Sequence, residues 1–262
     1  MIAGNSAIVA TGMGVRRGGR WLLRPVAFGM AEGVIGIAGP PGAGKSTLLA
    51  TFATLRRPQA GVLEILGHDT GNSAGLRAVR GRIGYLPGRF CWAETMTAGE
   101  FIGYAAYYKG MRAADVDQAL ERLGLTESAG TELSLLPPDV RLRAGLAATC
   151  VHAPALVLLD EPLNGLGDAA AAETIPVLRS LAPTVVVTAG SAAELTPWCD
   201  RVLALEGGRL AELPPHGAGR PVPLPAAPDA APGRRRPSVR PLAALLPRIV
   251  LGRMAAGSGA GV

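Results

Sequence analysis

The sequence predicts an α/β fold organised around a mainly parallel sheet, with an N-terminal β-rich part and an inserted helical subdomain. Three observations carry that expectation. Apolar, β-rich runs at Gly33–Ala38, Val62–Ile65, Leu156–Leu159, Val185–Thr188 and Val202–Leu205 alternate with helix-like stretches, as they do when crossover helices bury both faces of a sheet. A glycine-rich loop, residues 39–44, joins the first run to a helical stretch. With 262 residues, 48% hydrophobic and 18% charged, the chain is long enough for one full α/β domain and an appendage.

In chain order, residues 6–10 read as a first strand, and no basic segment precedes them, so a secretory signal is not expected. Residues 90–150 read as mainly helical: across Asp115–Leu123, Val116, Leu120 and Leu123 share one face while Asp117, Glu121 and Arg122 take the others. Composition shifts after Glu212, because residues 213–262 hold 10 of the 22 prolines and seven arginines against one aspartate. Such a stretch buries too little apolar surface to offset its ordering entropy, so the expected domain is 1–212 and the expected tail, mostly disordered, is 213–262. The formal charge of +6 resides in that tail. Its arginines, Arg234-Arg235-Arg236 with Arg240, Arg248 and Arg253, read as solvated rather than held to an anionic membrane. They lack the interleaved aromatics of base stacking, so no nucleic-acid partner is expected. No apolar run reaches the length of about 18 residues that spans a bilayer, so any membrane role needs a partner. Cys91, Cys150 and Cys199 lie far apart without a CxxC pair and read as buried thiols of a reducing cytosol.

Gly39-Pro40-Pro41-Gly42-Ala43-Gly44-Lys45-Ser46 satisfies G-x-x-x-x-G-K-[ST] in full, and it follows the strand-like Val34–Ala38 and precedes the helix-like Thr47–Ala50. The glycines let backbone N–H groups close around phosphates, and the helix N-terminus adds positive potential. Lys45 is placed to neutralise β/γ-phosphate charge and Ser46 to ligate Mg²⁺, with Thr47 completing the candidate nucleotide-binding set. The second anchor, Ala155–Leu159 followed by Asp160-Glu161-Pro162, delivers two carboxylates at a strand C-terminus, where open α/β sheets bind ligands. Asp160 is the candidate Mg²⁺ residue and Glu161 the candidate catalytic base that polarises water. Adjacent acids at a strand end are commonplace; the preceding P-loop gives these two their meaning.

With both anchors in place, the sequence resembles the ATP-binding cassette (ABC) family, P-loop NTPases, and within it the subunits that drive ABC-2-type permeases. The likeness takes in Arg56-Arg57-Pro58-Gln59-Ala60-Gly61, Leu66-Gly67-His68-Asp69, Ile83-Gly84-Tyr85-Leu86-Pro87, Cys199-Asp200-Arg201-Val202 and Gly207-Gly208-Arg209-Leu210. It runs from about residue 6 to 212. The resemblance implies ATP and Mg²⁺ as cofactors, a membrane permease and a second nucleotide-binding subunit as partners, and a cytoplasmic position at the inner face of the membrane.

The chain also departs from the family pattern. Where the family has an LSGGQ signature that clamps the partner's nucleotide, this sequence reads Leu136-Pro137-Pro138-Asp139-Val140. Two prolines remove N–H donors and an aspartate adds repulsion, although both residue types suit a helix start. Gly88 stands at the glutamine position after Leu86-Pro87, Gly190 at the switch histidine, and Gly167 at an aspartate. Arg17 falls at the adenine-stacking aromatic, with Trp21 close by. Seven of the 11 aromatics crowd into Tyr85–Tyr108 (Tyr85, Phe90, Trp92, Phe101, Tyr104, Tyr107 and Tyr108); most are expected in the helical subdomain's core, and the family meets its permease in this region. The expected function is the ATP-binding subunit of an exporter with weak or partner-dependent hydrolysis. The alternative is a regulatory module that holds nucleotide without turnover, favoured by Gly88, Gly190 and the altered signature and opposed by Glu161. A kinase or GTPase is the third reading, and the Asp160-Glu161-Pro162 run argues against it.

Overall fold

The structure is a computed structural model that describes residues 6–88, 95–214 and 221–225. All belong to the first of two units, Met1–Pro232; the tail arginines from Arg234 onward, and Phe90, Cys91 and Trp92, lie outside the described residues.

Two sheets form. The N-terminal one is antiparallel and contains β1 (Ser6–Arg17), β2 (Arg20–Ala31), β4 (Ala60–Ile65) and β5 (His68–Asp69) in the order β2-β1-β4-β5. The second has seven strands in the order β11-β10-β9-β3-β8-β7-β6, with β3 (Gly33–Ala38), β6 (Ile83–Leu86), β7 (Leu156–Leu159), β8 (Thr184–Ala189), β9 (Arg201–Glu206), β10 (Arg209–Glu212) and β11 (Val222–Pro223). From β9 through β6 every pairing is parallel, and β10 and β11 add an antiparallel edge. The expected parallel core is therefore present, with one reassignment. Val62–Ile65 does not join it but pairs antiparallel with β1. Its exposed Val62 and Glu64 alternate with buried Leu63 and Ile65, the signature of a half-buried strand, whereas β7 and β8 are buried at every position.

Alternation along the central strands divides the interior into two cores. Ile35, Ile37, Leu156, Leu158, Val186 and Leu203 face one core with the antiparallel sheet and α1 (Lys45–Phe52). Val34, Val157, Leu159, Val185, Val187 and Val202 face the other. That second core is closed by α3 (Ala98–Tyr108), α4 (Ala113–Arg122), α5 (Pro138–Cys150) and α6 (Asp168–Arg179). The remaining helix, α2 (Ser73–Arg80), contributes Val79 to the first core.

Helix α3 starts in a capping box in which Thr97 and Glu100 exchange bonds with each other's backbone. The crowded aromatics divide: Phe101 is buried in the core, while Tyr107 and Tyr108 are 77% and 57% exposed. Cys150 is buried and Cys199 half-buried, and burial pushes both thiols up to about 12. Past residue 212 the chain still contributes structure: Val222 and Pro223 pair with the edge of β10, and the Ala27 N–H donates to the Pro225 carbonyl at 3.0 Å.

Candidate functional site

The C-terminal ends of β3, β6, β7 and β8 meet at one edge of the sheet, where open parallel sheets place their ligands. Strand β3 runs into the loop 39–44 and then into α1, whose N-cap is Gly44 and whose first turn holds no acid. Gly42 and Gly44 take φ of +79° and +109°, which glycine adopts without the Cβ penalty. A Cβ on Gly44 would stand 2.9 Å from that of Leu22, so the loop is packed directly against β2.

Lys45 is 4% exposed. Its Nζ donates to the Gly39 carbonyl at 2.6 Å and the Pro40 carbonyl at 3.3 Å, and it pairs with Glu161 Oε1 at 3.0 Å. Two residues separated by more than a hundred positions in sequence are thus in contact. Ser46 is exposed at the loop mouth, while Thr47 is buried, its carbonyl accepting from Thr51 Oγ1 at 2.8 Å. Asp160 is buried beside the strand end of β6, where its N–H donates to the Leu86 carbonyl at 3.0 Å. Burial and then the Asp160 charge push the neighbouring Tyr85 phenol up to about 12, so it stays neutral. Glu161 has φ of +49°, an uncommon conformation for a residue with a Cβ and one that concentrates at functional sites.

One residue that the sequence reading did not single out holds both acids. Thr188 Oγ1 donates to Asp160 Oδ1 at 2.9 Å and accepts the Glu161 N–H at 2.9 Å, from a side chain 1% exposed. Its signal was a lone hydroxyl closing the apolar run Val185–Val187. Beside it, a cavity of about 230 Å³ is lined by Pro41, Glu161, Asn164, Gly190, Glu194 and Trp198, among others. Gly190, at the switch-histidine position, leaves this space open; a Cβ there would reach no closer than 3.5 Å to Glu194 Oε1. Gly88 lies against Asp160, its missing Cβ 3.1 Å from the Asp160 carbonyl oxygen. At the altered signature, Pro137 caps α5 without a side-chain bond, Pro138 opens the helix, and Asp139 pairs with Arg143 at 3.1 Å.

The left-handed glycine cradle, the acid-free helix start, the buried ammonium and the exposed hydroxyl fit a polyphosphate chain. The oxygen donors Ser46 and Asp160 fit a hard divalent cation. Fold and site together define a P-loop nucleotide-binding domain. The ABC transporter family matches residues 23–164, more than half of the chain, and the protein belongs to that family.

Among curated relatives, the chain is 34% identical over 215 residues to the daunorubicin resistance ATP-binding protein DrrA3 of Streptomyces coeruleorubidus, covering 79% of this chain and 67% of that one. It is 33% identical over 224 residues to the methionine import ATP-binding protein MetN 2 of Burkholderia mallei, covering 78% of this chain but only 57% of the relative. Solved structures share the fold. CbiO1 from Clostridium perfringens, part of the ABC transporter complex cbiONQ, superposes with a TM-score of 0.69 at 20% identity, over 79% of this chain and 87% of that one. The ADP conformation of the ATP-binding cassette MJ1267 gives 0.69 at 18%, over 79% and 91%. Family membership carries nucleotide binding with it. Among the described residues, no helix is long and apolar enough to cross a membrane.

Proposed function

We propose that this chain is the ATP-binding and ATP-hydrolysing subunit of a transporter, lying at the cytoplasmic face of the membrane and working with a separate permease and a second nucleotide-binding subunit. The observation that carries the proposal is the convergence of Lys45, Asp160 and Glu161 at one strand edge, with Thr188 fixing the two acids. Backbone N–H groups of the loop and Lys45 hold the phosphates; Ser46 and Asp160 hold Mg²⁺, which supplies charge neutralisation on the transferred group. A phosphate in the loop competes for the Lys45 ammonium and frees Glu161, which orients the attacking water and accepts its proton. The retained Glu161 speaks for turnover and against a purely regulatory module.

We propose export as the direction. Identity to DrrA3 and the ABC-2-like segments support it, while import subunits match at 33%. Pro137 and Pro138 leave the start of α5 poor in donors and Asp139 adds an acid to its first turn, so turnover of the isolated chain is expected to be slow. The test is steady-state ATP hydrolysis with Mg²⁺ by the unaltered chain and by Glu161→Gln. Slow turnover that the substitution abolishes supports the proposal. Equal rates in the two proteins contradict it.

A further inference from the structure

Charge is spread unevenly over the domain. Two stretches, residues 46–63 and 70–88, hold five arginines (Arg56, Arg57, Arg77, Arg80 and Arg82) and no acid. All five are exposed, and among the described residues none is paired with a carboxylate.

Hydrogen bonds bring the two stretches together. Just past α1, Thr54 is buried in the left-handed region at φ of +58°. The Leu55 and Arg56 N–H groups donate back to the Ala50 carbonyl at 2.9 and 3.2 Å, which fixes the backbone that carries Leu55, Arg56 and Arg57. Arg80, at the end of α2, reaches this turn: its Nε donates to Thr54 Oγ1 at 3.0 Å and its Nη2 to the Thr54 carbonyl at 3.1 Å. The Arg80 carbonyl in turn accepts from Lys109 Nζ at 3.1 Å, which joins the C-terminal end of α3 to the same surface. There the exposed Tyr108 ring lies 5.6 Å from Tyr107 and 4.8 Å from Tyr104, while Leu55 is 49% exposed.

Arginines without counter-charges, amphipathic rings and an exposed leucine are the chemistry of a surface that faces phospholipid. Guanidinium groups hold headgroup phosphates, phenols sit at headgroup level, and leucine enters the acyl boundary. A polynucleotide needs free ring faces for its bases, and here the tyrosine rings close on one another.

We propose that the surface formed by Leu55, Arg56, Arg57, Arg80, Tyr107 and Tyr108 docks on the anionic face of a lipid bilayer. It gives the chain its own hold on the membrane, separate from the nucleotide site. Each arginine near an anionic surface contributes about fivefold to partitioning, and salt screens the attraction.

The test is vesicle co-sedimentation of the full chain without nucleotide, with phosphatidylcholine alone and with phosphatidylcholine mixed with phosphatidylglycerol. Binding is expected with the anionic mixture only, and Arg56→Gln together with Arg57→Gln is expected to lower it about tenfold or more. Substituting Arg234, Arg235 and Arg236 by Gln controls for the basic tail, and the effect of Arg56 and Arg57 is expected to persist in that background. Tyr107→Trp locates the contact, because brominated lipid is expected to quench the fluorescence it adds. Binding undiminished by the loss of Arg56 and Arg57, or added fluorescence that lipid does not quench, overturns the proposal. So does a response of Tyr107→Trp to oligothymidylate and not to vesicles, which assigns the surface to nucleic acid. Each of these outcomes leaves the proposed ATP site standing.

Discussion

Thr188→Val is the substitution that most sharply separates the structural frame of the site from its chemistry. The two side chains are nearly the same size, so the buried position stays filled while the hydroxyl goes. The hydroxyl serves two partners at once, donating to Asp160 Oδ1 and accepting from the Glu161 N–H, each at 2.9 Å. Its loss takes a donor from a buried carboxylate and orphans an N–H whose residue is held at φ of +49°. A hydrogen bond to a charged group and an unsatisfied buried donor each cost about 1–3 kcal/mol, so the variant is expected to lose about 2–4 kcal/mol of unfolding free energy. That lies within the stability of a typical domain and leaves a folded protein to assay. Urea denaturation reads the loss, and ATP turnover reads the release of Glu161. Thr188→Ser keeps the hydroxyl and gives up only a buried methyl, about 1 kcal/mol, and is expected to retain turnover. A Val variant within about 0.5 kcal/mol of the unaltered chain, or a Ser variant as damaged as the Val one, refutes the reasoning.

Gly36 sits in β3 where a Cβ would meet the Leu195 side chain at 2.9 Å and Cys199 Sγ at 3.2 Å, so Gly36→Ala is expected to destabilise by about 1–3 kcal/mol through overpacking; an unchanged urea midpoint contradicts that packing. A pH dependence follows from His152. Burial first, and then the Lys109 charge, push its imidazole down to about 4, against the partial support of the Ile83 carbonyl. The unfolded histidine returns to its ordinary 6.5 and takes up a proton that the native one resists. Stability is therefore full above about pH 6.5 and declines as pH falls toward 4. Urea midpoints measured across that window should slope less in His152→Gln, and equal slopes in the two proteins contradict the assignment.

The sequence made the parallel core legible because its strands are apolar without interruption, and periodicity located α4 between charged faces. Val62–Ile65 was harder, since Glu64 is the sole polar residue in a short run and only the pairing with β1 gives it meaning. Of the site, Gly39–Ser46 and Asp160-Glu161 were visible because phosphate chemistry demands those residue types at fixed spacing. Thr188 was not, because a buried threonine in a β-rich run has ordinary propensity reasons to be there, and its two acceptor and donor partners exist only once β7 and β8 are side by side. The stacking of the Arg16 guanidinium on the Trp21 ring, 3.8 Å from its centre, was invisible for a similar reason: the turn Gly18-Gly19 decides which residues face each other across the hairpin.

The measurement that bears most directly on the nucleotide site is calorimetric titration of ATP in Mg²⁺ into the unaltered chain and into Lys45→Ala. Lys45 touches both the loop and Glu161, the proposed catalytic base, through bonds of 2.6 and 3.0 Å. Binding by the unaltered chain, weakened about a hundredfold or more in the variant, is the expected result. Equal affinity in the two proteins, or no binding by either, contradicts the assignment of residues 39–46 as the phosphate site.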